Sequence, residues 1–367
     1  MADAYRSSGV DYGVLDAAKR RSIEAVMGSL GEPVARGAAV RAETVGEPAQ
    51  LVEVDGVLLA TVLECLGTKS TIAREVEDAL GEDHWEAIGV DAVAAIVNDL
   101  CCVGALPLTL SAYVATGDAS WYAGERHTSL VEGWRRACEE AGAAWVGGES
   151  PTLSGIVAHD SVDLAGSATG RVPLGRVPWL GSRLVVGDEI VLVASSGLHA
   201  NGASLARSVA AASEEGWRTR LPGGRLLGEA VLEPSVVYVR LVEALQSAPF
   251  GGDDVHYASH VTGHGLRKLM RADRELTYRV EALPAVPEVL SWLADRAGLD
   301  AASAHGTLNM GSGFAVFARA GRGHDVAALA GDLGYEAIVA GAVERGPRRV
   351  VLEPVGVSFD SAELELR

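Results

Sequence analysis

The stretch Gly89-Val90-Asp91-Ala92-Val93-Ala94-Ala95-Ile96-Val97-Asn98-Asp99-Leu100 carries the clearest secondary-structure signal in the sequence. Apolar residues recur every three or four positions and predict a helix with one buried face, at Val90, Val93, Val97 and Leu100. Gly104 predicts the end of this helix. Asn98 and Asp99 then lie at its C-terminal end, where the helix dipole disfavours a carboxylate. A cation such as Mg²⁺ would relieve this; an ordinary polar helix end is the alternative.

Short strands are predicted on both sides of this helix. Asp55-Gly56 is a strong two-residue hairpin signal between apolar runs at Ala49–Val54 and Val57–Val62. After the helix the pattern alternates: a strand at Leu108–Val114, a helix from Thr128 to Ala141, a short buried strand at Ala143–Val146 and a strand at Val162–Thr169.

A segment rich in Pro, Gly and Arg, Pro173 to Gly187, predicts a domain boundary. A chain of 367 residues is too long for one ordinary core, so we predict two domains, residues 1–172 and 173–367. The second half again mixes strands with helices: strands at Glu189–Ala194, Val255–Val261 and within Leu308–Ala318, and helices from Ala203 and at Leu232–Leu245. Two domains of α/β or α+β type follow from this alternation.

Charge and cysteine content exclude several classes of function. The net charge of −18 argues against a general nucleic-acid binder and against docking on an anionic membrane. It leaves room for one small phosphorylated ligand, which a few backbone N–H groups can hold. None of the four cysteines forms a C-x-x-C pair, which predicts reduced thiols and a cytoplasmic protein without a structural zinc site.

The first candidate site follows an apolar strand, at Glu64-Cys65-Leu66-Gly67-Thr68-Lys69. Gly67 would let the backbone approach a phosphate, Thr68 offers a hydroxyl and Lys69 supplies a positive charge. The spacing is not that of a Walker A loop. A strand-end turn with a solvated lysine is the structural alternative.

A second candidate site is Gly147-Gly148-Glu149-Ser150, which follows the predicted buried strand. Gly148 would leave room for a ligand, and Glu149 could hold a metal or a nitrogen-bearing substrate. The alternative is a tight turn with a surface glutamate.

Two polar loops in the second half each lead from a strand into a helix. Ser195 to Gly202 brings hydroxyls, an imidazole, an amide and glycines to a helix N-terminus, where anions bind. A polar loop with a capping asparagine is the alternative. His260 to Gly265 could form a second anion site, with His260 as a general acid or base. A structural imidazole is the alternative there, and for His264 we favour it.

Taken together and in this order, the motifs resemble the aminoimidazole ribonucleotide synthetase family, also called phosphoribosylformylglycinamidine cyclo-ligase. The resemblance runs from Tyr5–Asp11 to Ala340–Val343 and so covers nearly the whole chain. Further motifs in the series are Gly89-Val90-Asp91, Tyr113-Val114-Ala115-Thr116-Gly117, Leu232-Glu233-Pro234-Ser235, Val255-His256 and Thr307-Leu308-Asn309-Met310-Gly311.

The resemblance implies a two-domain α+β fold and a homodimer. The N-terminal domain would bind ATP and dimerise through a sheet-lined barrel, and a C-terminal α/β domain would complete the site. The family reaction uses ATP to phosphorylate the amide oxygen of formylglycinamidine ribonucleotide. An amidine nitrogen then closes the imidazole ring, which yields aminoimidazole ribonucleotide, ADP and phosphate.

The resemblance also implies roles for individual residues. The ATP site would comprise Glu64, Gly67, Thr68, Lys69, Asn98, Asp99 and Gly148. Mg²⁺ would be held by Asp99, Glu149 and Glu64. The phosphorylated substrate would meet Ser196, Gly197, His199, Asn201, Gly202, Thr262 and Gly263. Lys69, His199 and His260 would be catalytic, with the two histidines handling protons.

Some positions differ from the family pattern. Leu63-Glu64-Cys65-Leu66-Gly67-Thr68-Lys69 stands where T-D-G-V-G-T-K is usual, and His264 replaces the middle of three glycines. A divergent enzyme that activates another amide or carboxylate with ATP in specialised, nucleoside-type metabolism is therefore one alternative. A catalytically silent dimeric binding protein is another, although the retained Asp99 and Glu149 argue against it.

Overall fold

A computed structural model describes residues 12–364 of the chain. Residues 5–11, where the resemblance begins, lie outside the described residues. The helices are α1 (Tyr12–Met27), α2 (Lys69–Leu80), α3 (Trp85–Cys101), α4 (Glu125–Glu140), α5 (Ala203–Ala212), α6 (Leu227–Val231), α7 (Val239–Leu245), α8 (Glu288–Arg296), α9 (Ala301–His305) and α10 (Gly323–Asp332). The strands are β1 (Ala38–Val40), β2 (Gln50–Val54), β3 (Val57–Cys65), β4 (Leu106–Thr116), β5 (Ala144–Glu149), β6 (Val162–Arg171), β7 (Glu189–Ala194), β8 (Val255–His260), β9 (Leu276–Val280), β10 (Ser312–Ala318), β11 (Ala337–Arg345), β12 (Arg349–Leu352) and β13 (Val357–Asp360).

The first sheet has the strand order β1-β2-β3-β6-β4-β5. Its neighbouring strands are antiparallel, except that β4 and β5 run parallel. The predicted hairpin is confirmed: Asp55 and Gly56 join β2 to β3 with φ angles of 49° and 77°. Positive φ at both central residues is what a type I′ turn requires.

The helix predicted from the opening stretch is confirmed as α3, and almost all of its side chains are buried. It packs on the first sheet and against α4. Two glycines allow this close approach, because a Cβ on Gly133 would lie 1.9 Å from the carbonyl oxygen of Glu86 and one on Gly89 would lie 2.4 Å from that of Leu130. The C-terminal end of α3, with Asn98 and Asp99, therefore lies deep in the structure.

The second sheet has the strand order β13-β12-β9-β11-β7-β10-β8 and is antiparallel except for the pair β12–β9. The predicted strand Glu189–Ala194 is confirmed as β7. The predicted helix Leu232–Leu245 is shortened to α7, and residues 233–238 before it are irregular. Pro234 lies in that segment, and a proline cannot donate the backbone hydrogen bond of a helix interior.

One prediction about the first sheet is wrong. The segment predicted as a short buried strand is β5, and all six of its residues are exposed, because β5 is an edge strand that pairs only with β4.

Both sheets of the described chain are open rather than closed into barrels. The four cysteines are free thiols, as predicted. Among residues 12–364 no helix is both long and apolar enough to span a bilayer.

Candidate active site between the two domains

The N-termini of two helices, one from each half of the chain, lie together. Helix α2 begins after Thr68 and α5 begins after Gly202, and the side-chain oxygens of Thr68 and Ser204 are 3.3 Å apart. Gly202 has a φ of 96°, and a Cβ there would lie 2.7 Å from a methyl group of Leu308. Helix N-termini carry unpaired N–H groups and partial positive charge. This junction is therefore suited to an anion, as the Gly67-Thr68 and Ser195–Gly202 motifs predict.

Lys69 follows this turn but is not solvated. Its side chain is fully buried, with the ammonium nitrogen 2.6 Å from Oδ2 of Asp91 and 3.3 Å from the carbonyl oxygen of Glu233. Ser235 donates two hydrogen bonds to Oδ1 of Asp91, from its backbone nitrogen at 2.8 Å and its hydroxyl at 2.5 Å. Burial raises the pKa of Asp91, and Lys69 and Ser235 oppose this. The structure therefore places Lys69 in an internal ion pair rather than on an open phosphate site.

Asn98 also has internal partners. Its amide nitrogen donates to the carbonyl oxygen of Val236 at 2.8 Å, and its Oδ1 accepts from the backbone nitrogen of Tyr238 at 2.9 Å. The side chain thus links α3 to the irregular segment 233–238. This engagement does not support the predicted contact between Asn98 and a nucleotide.

Glu64, which lies four residues before Thr68 in the chain, forms a pair of carboxylates with Asp99. Burial raises the pKa of Glu64 to about 7, together with the charge of Asp99 and a hydrogen bond between the two side chains. Burial would also raise the pKa of Asp99, but hydrogen bonding to His260 and the charges of Lys268 and Arg271 hold it below its ordinary value. Oδ1 of Asp99 lies 2.6 Å from Nδ1 of His260. The structure thus brings together three predicted site residues, Glu64, Asp99 and His260.

Lys268 and Arg271 were missed by sequence reasoning. They lie on the 3₁₀ helix Gly265–Met270 and just after it, and Lys268 donates a hydrogen bond to the hydroxyl of Thr262. Burial lowers the pKa of Lys268, and the charges of Asp99 and Glu64 oppose this. In the sequence they appear as basic residues shortly after the predicted anion turn. Only the fold shows that they lie close to the carboxylates of the other domain.

Glu149 does not join the carboxylate pair. In the register of the first sheet, Cys65 of β3 and Glu149 of β5 are aligned through β6 and β4. Glu149 therefore lies three strand spacings, about 14 Å, from Cys65, the neighbour of Glu64. Gly148 has a structural reason to be glycine, since a Cβ there would lie 1.9 Å from the carbonyl oxygen of Ala112. Among residues 12–364 no group of three or more His, Cys, Asp and Glu side chains could hold a metal ion. One chain therefore does not assemble the predicted three-carboxylate metal site.

The loop before α5 is held in shape by Asn309. Ser195 donates to Oδ1 of Asn309 at 2.8 Å, and the amide nitrogen of Asn309 donates to the carbonyl oxygen of Gly197 at 2.8 Å. Within this loop His199 is buried and has a φ of 56°. Ser196 is fastened to the irregular segment by a hydrogen bond from its hydroxyl to the carbonyl oxygen of Pro234 at 2.5 Å. Asn201 and Gly202 follow, half-buried, at the start of α5.

The remaining predicted turn, Thr262-Gly263-His264, leads into the 3₁₀ helix. Thr262 and Gly263 are half-buried, whereas His264 is buried and has a φ of 71°. A positive φ is unfavourable for residues other than glycine, so the backbone of His264 is strained at a position where the family pattern has glycine.

The departures from the family pattern divide between the two faces of the first sheet. Successive side chains of a strand point to opposite faces. Glu64 pairs in register with Gly166, where a Cβ would meet Ile96 of α3 and Trp134 of α4, so Glu64 faces the helices. Leu63, at 74% exposure, and Cys65 lie on the open face instead. Leu63 and Cys65 therefore lie on the face of the sheet opposite to Glu64.

Comparisons with known proteins agree with this architecture. The family model described as AIR synthase related protein, N-terminal domain, matches residues 46–172, and the corresponding C-terminal domain model matches residues 185–353. Two domains of the AIR synthase related class thus make up most of the chain. The proposed division after residue 172 lies between the two matched ranges.

Two curated relatives carry the same enzyme name. A phosphoribosylformylglycinamidine cyclo-ligase of Synechocystis sp. is 33% identical over 266 residues, 71% of this chain and 74% of the relative. One of Lachnospira eligens is 31% identical over 362 residues, 95% of this chain and 99% of the relative. The chain belongs to the phosphoribosylformylglycinamidine cyclo-ligase family, which confirms the resemblance seen in the motifs.

A solved structure shares the fold. The hydrogenase maturation protein HypE in complex with ATP superimposes with a TM-score of 0.57 at 20% identity, covering 82% of this chain and 83% of HypE. The two-domain α+β fold expected from the resemblance is confirmed.

Proposed function

We propose that this chain is an ATP-dependent cyclo-ligase that converts formylglycinamidine ribonucleotide to aminoimidazole ribonucleotide, ADP and phosphate. The curated relatives that bear this name support the assignment. The observation that carries it is the junction between the domains, where two helix N-termini meet at Thr68 and Ser204 beside the Glu64–Asp99 carboxylate pair. Such a junction can hold a triphosphate and a phosphorylated substrate on opposite sides of one reacting centre.

Glu64 and Asp99 are the residues that we propose for Mg²⁺. Their chemistry fits, because Mg²⁺ in nucleotide sites is held by one or two carboxylates together with phosphate oxygens and water. The raised pKa of Glu64 supports this choice, since it reflects in part the repulsion between two carboxylates, which a cation would relieve. When bound, Mg²⁺ would neutralise charge on the transferred phosphoryl group.

The remaining roles follow from position. We propose that Gly67, Thr68 and the N-terminus of α2 bind the ATP phosphates, and that the loop Ser196–Gly202 with Thr262-Gly263 binds the phosphorylated substrate. His260, hydrogen-bonded to Asp99, is placed to hold or move a proton during ring closure. Lys69, paired with Asp91, acts on the site through its charge and through its contact with the irregular segment 233–238.

We also propose a homodimer in which a second copy covers the open face of the first sheet. Two observations favour a second copy as the occupant: the face carries the exposed apolar side chains Leu63 (74%) and Val146 (59%), and it continues into the unpaired edge of β5. Sedimentation should give twice the chain mass for the natural protein and one chain mass for Leu63→Glu. Leu174→Glu, at a leucine outside both sheets that is 68% exposed, is the matched control. A monomeric natural protein would contradict the proposal.

Leu63 and Cys65 lie on the open face that we propose the second copy covers, whereas Glu64 lies on the helix-facing side of the sheet. Of the other departures in these two motifs, Leu66 is buried next to Gly67, and His264 follows Thr262-Gly263 in the chain. We also propose a cytoplasmic location, which is supported by the free cysteines and by the cyclo-ligase names of the relatives.

The experiment is ADP release from ATP and Mg²⁺, with formylglycinamidine ribonucleotide present and absent. We expect ADP only with the substrate, in equal amount to aminoimidazole ribonucleotide. Asp99→Asn should abolish this turnover, whereas Asp332→Asn, at an exposed residue of α10, should not change it. If ADP is released without ring closure, or if Asp99→Asn is as active as Asp332→Asn, the proposed reaction or the proposed metal ligand is wrong.

A further inference from the structure

The ring of His199 has one nitrogen whose protonation state is set by its neighbours. Nε2 lies 3.2 Å from the backbone nitrogen of Ser196 and 3.5 Å from that of Val236. Backbone N–H groups can only donate, so Nε2 must present its lone pair to them. A neutral imidazole carries a single ring proton, which then resides on Nδ1.

The other nitrogen is a donor without an acceptor. Nδ1 of His199 is buried and has no hydrogen-bond partner among residues 12–364. A buried donor left unpaired costs about 1–3 kcal/mol, and native structures rarely leave one so without a reason. The ring lies in the loop that leads to the N-terminus of α5, with Tyr238 at a centroid distance of 6.4 Å. An acceptor oxygen from a ligand would satisfy this donor.

The surroundings oppose a positive charge on the ring. Burial lowers the pKa of His199 well below its ordinary value, and the charges of His260 and Lys69 lower it further. Asp99 and Asp91, the acids beside His260 and Lys69, already contact these two side chains. An imidazolium would also point an Nε2–H at two N–H donors, which cannot form a hydrogen bond.

We infer that His199 is a fixed hydrogen-bond donor, which gives its Nδ1–H to a phosphate oxygen of a bound ligand and does not carry protons. The nature of that ligand as the phosphorylated substrate rests on the proposed function, whereas the tautomer and the donor role rest on the contacts of the ring. The expectation that both His199 and His260 handle protons is thereby narrowed to His260, whose Nδ1 contacts Asp99.

The tautomer can be read directly by long-range ¹H–¹⁵N correlation of the imidazole rings in the full-length protein. The signal of His199 among nine histidines is identified by its loss in His199→Asn. We expect the Nδ1-protonated pattern, unchanged over about pH 6 to 8, where an ordinary histidine titrates. An Nε2-protonated pattern, or a ring that titrates in this range, would overturn the inference.

The donor role is tested by ligand addition to the same sample. Inorganic phosphate, a non-hydrolysable ATP analogue and formylglycinamidine ribonucleotide are added separately, and the Nδ1–H signal should shift with at least one of them. A shift with the ATP analogue alone would assign the acceptor to the nucleotide rather than to the substrate and would overturn that part. No shift with any of the three would overturn the donor role.

Two variants separate a donor from a proton carrier in turnover. His199→Asn keeps an N–H near the position of Nδ1, and His199→Gly removes it; both residues tolerate the positive φ of this position. We expect kcat/KM to fall about 10- to 100-fold more in His199→Gly than in His199→Asn. Equal losses in both variants, with a limb missing from the pH profile, would show proton transfer instead. A natural protein without turnover would disprove the proposed reaction and leave the ring measurements as the test of His199.

Discussion

The buried ion pair between Lys69 and Asp91 should dominate the stability of the domain junction. Both side chains are fully buried, and their charged atoms are 2.6 Å apart. Loss of one partner leaves an uncompensated charge away from water, which costs about 3–5 kcal/mol in buried pairs. Asp91→Asn should therefore lower the free energy of unfolding by about that amount, although the amide oxygen of the variant could still accept the hydrogen bonds of Ser235.

A double-mutant cycle isolates the ion pair from its surroundings. Lys69→Met leaves the Asp91 carboxylate with two hydrogen bonds from Ser235, so it should cost less than Asp91→Asn, roughly 2–3 kcal/mol. The double variant removes both charges together. It should cost at least about 2 kcal/mol less than the sum of the single variants, as is found for coupled residues.

The assay is urea-induced unfolding, followed by tryptophan fluorescence and by circular dichroism. Coincident transitions justify a single free energy for each variant. Asp160→Asn is the control, because it breaks an ion pair with Arg74 in which Asp160 is 55% exposed. Exposed pairs contribute about 0–1 kcal/mol. The reasoning fails if Asp91→Asn costs no more than this control, or if the two single variants are additive.

Three further predictions concern the sheet, the carboxylate pair and the substrate loop. Gly148→Ala should lower the thermal midpoint, since its Cβ would lie 1.9 Å from the carbonyl oxygen of Ala112; an unchanged melting curve by circular dichroism would contradict this. The pKa of Glu64 is raised from 4.5 to about 7, so the folded state holds this proton more tightly than the unfolded state, and the resulting stability is lost as pH rises from about 4.5 to 7. In the absence of metal, Glu64→Gln should not show this loss of stability. If the unfolding midpoints of the natural protein and of Glu64→Gln have the same pH dependence, the pairing of Glu64 with Asp99 is refuted. Asn309→Ala should raise the KM for the substrate more than that for ATP in steady-state kinetics; equal changes would argue against its role in shaping the loop.

Local patterns predicted much of the fold. The period of three to four residues in α3 and the Asp55-Gly56 hairpin are properties of neighbouring residues, and both are confirmed. The error at β5 has a physical reason as well. An apolar run of four residues is compatible with an interior or an edge strand, and only the strand order distinguishes them.

Sequence reasoning identified several residues of the candidate site but not the residues that they contact. Glu64, Asp99 and His260 were all singled out, and the structure brings them together across 161 positions of chain between Asp99 and His260. Lys69 was singled out too, but its partner Asp91 appeared only as part of a motif. Lys268 and Arg271 were missed, because nothing in a sequence states which element a basic residue will face.

The sequence by itself predicted α3, the Asp55-Gly56 hairpin, the order of the motifs and the family, because residue types and short-range periodicity are local properties. Only the tertiary structure decided that Lys69 is an internal ion, that Glu149 lies apart from the carboxylate pair, and that Leu63 lies on the face of the sheet opposite to Glu64. It also supplied the contacts of His199 from which we infer which ring nitrogen carries the proton. Each of these depends on strand order or on contacts between the two domains, and such contacts set burial, charge and hydrogen bonding for residues that are distant in the chain.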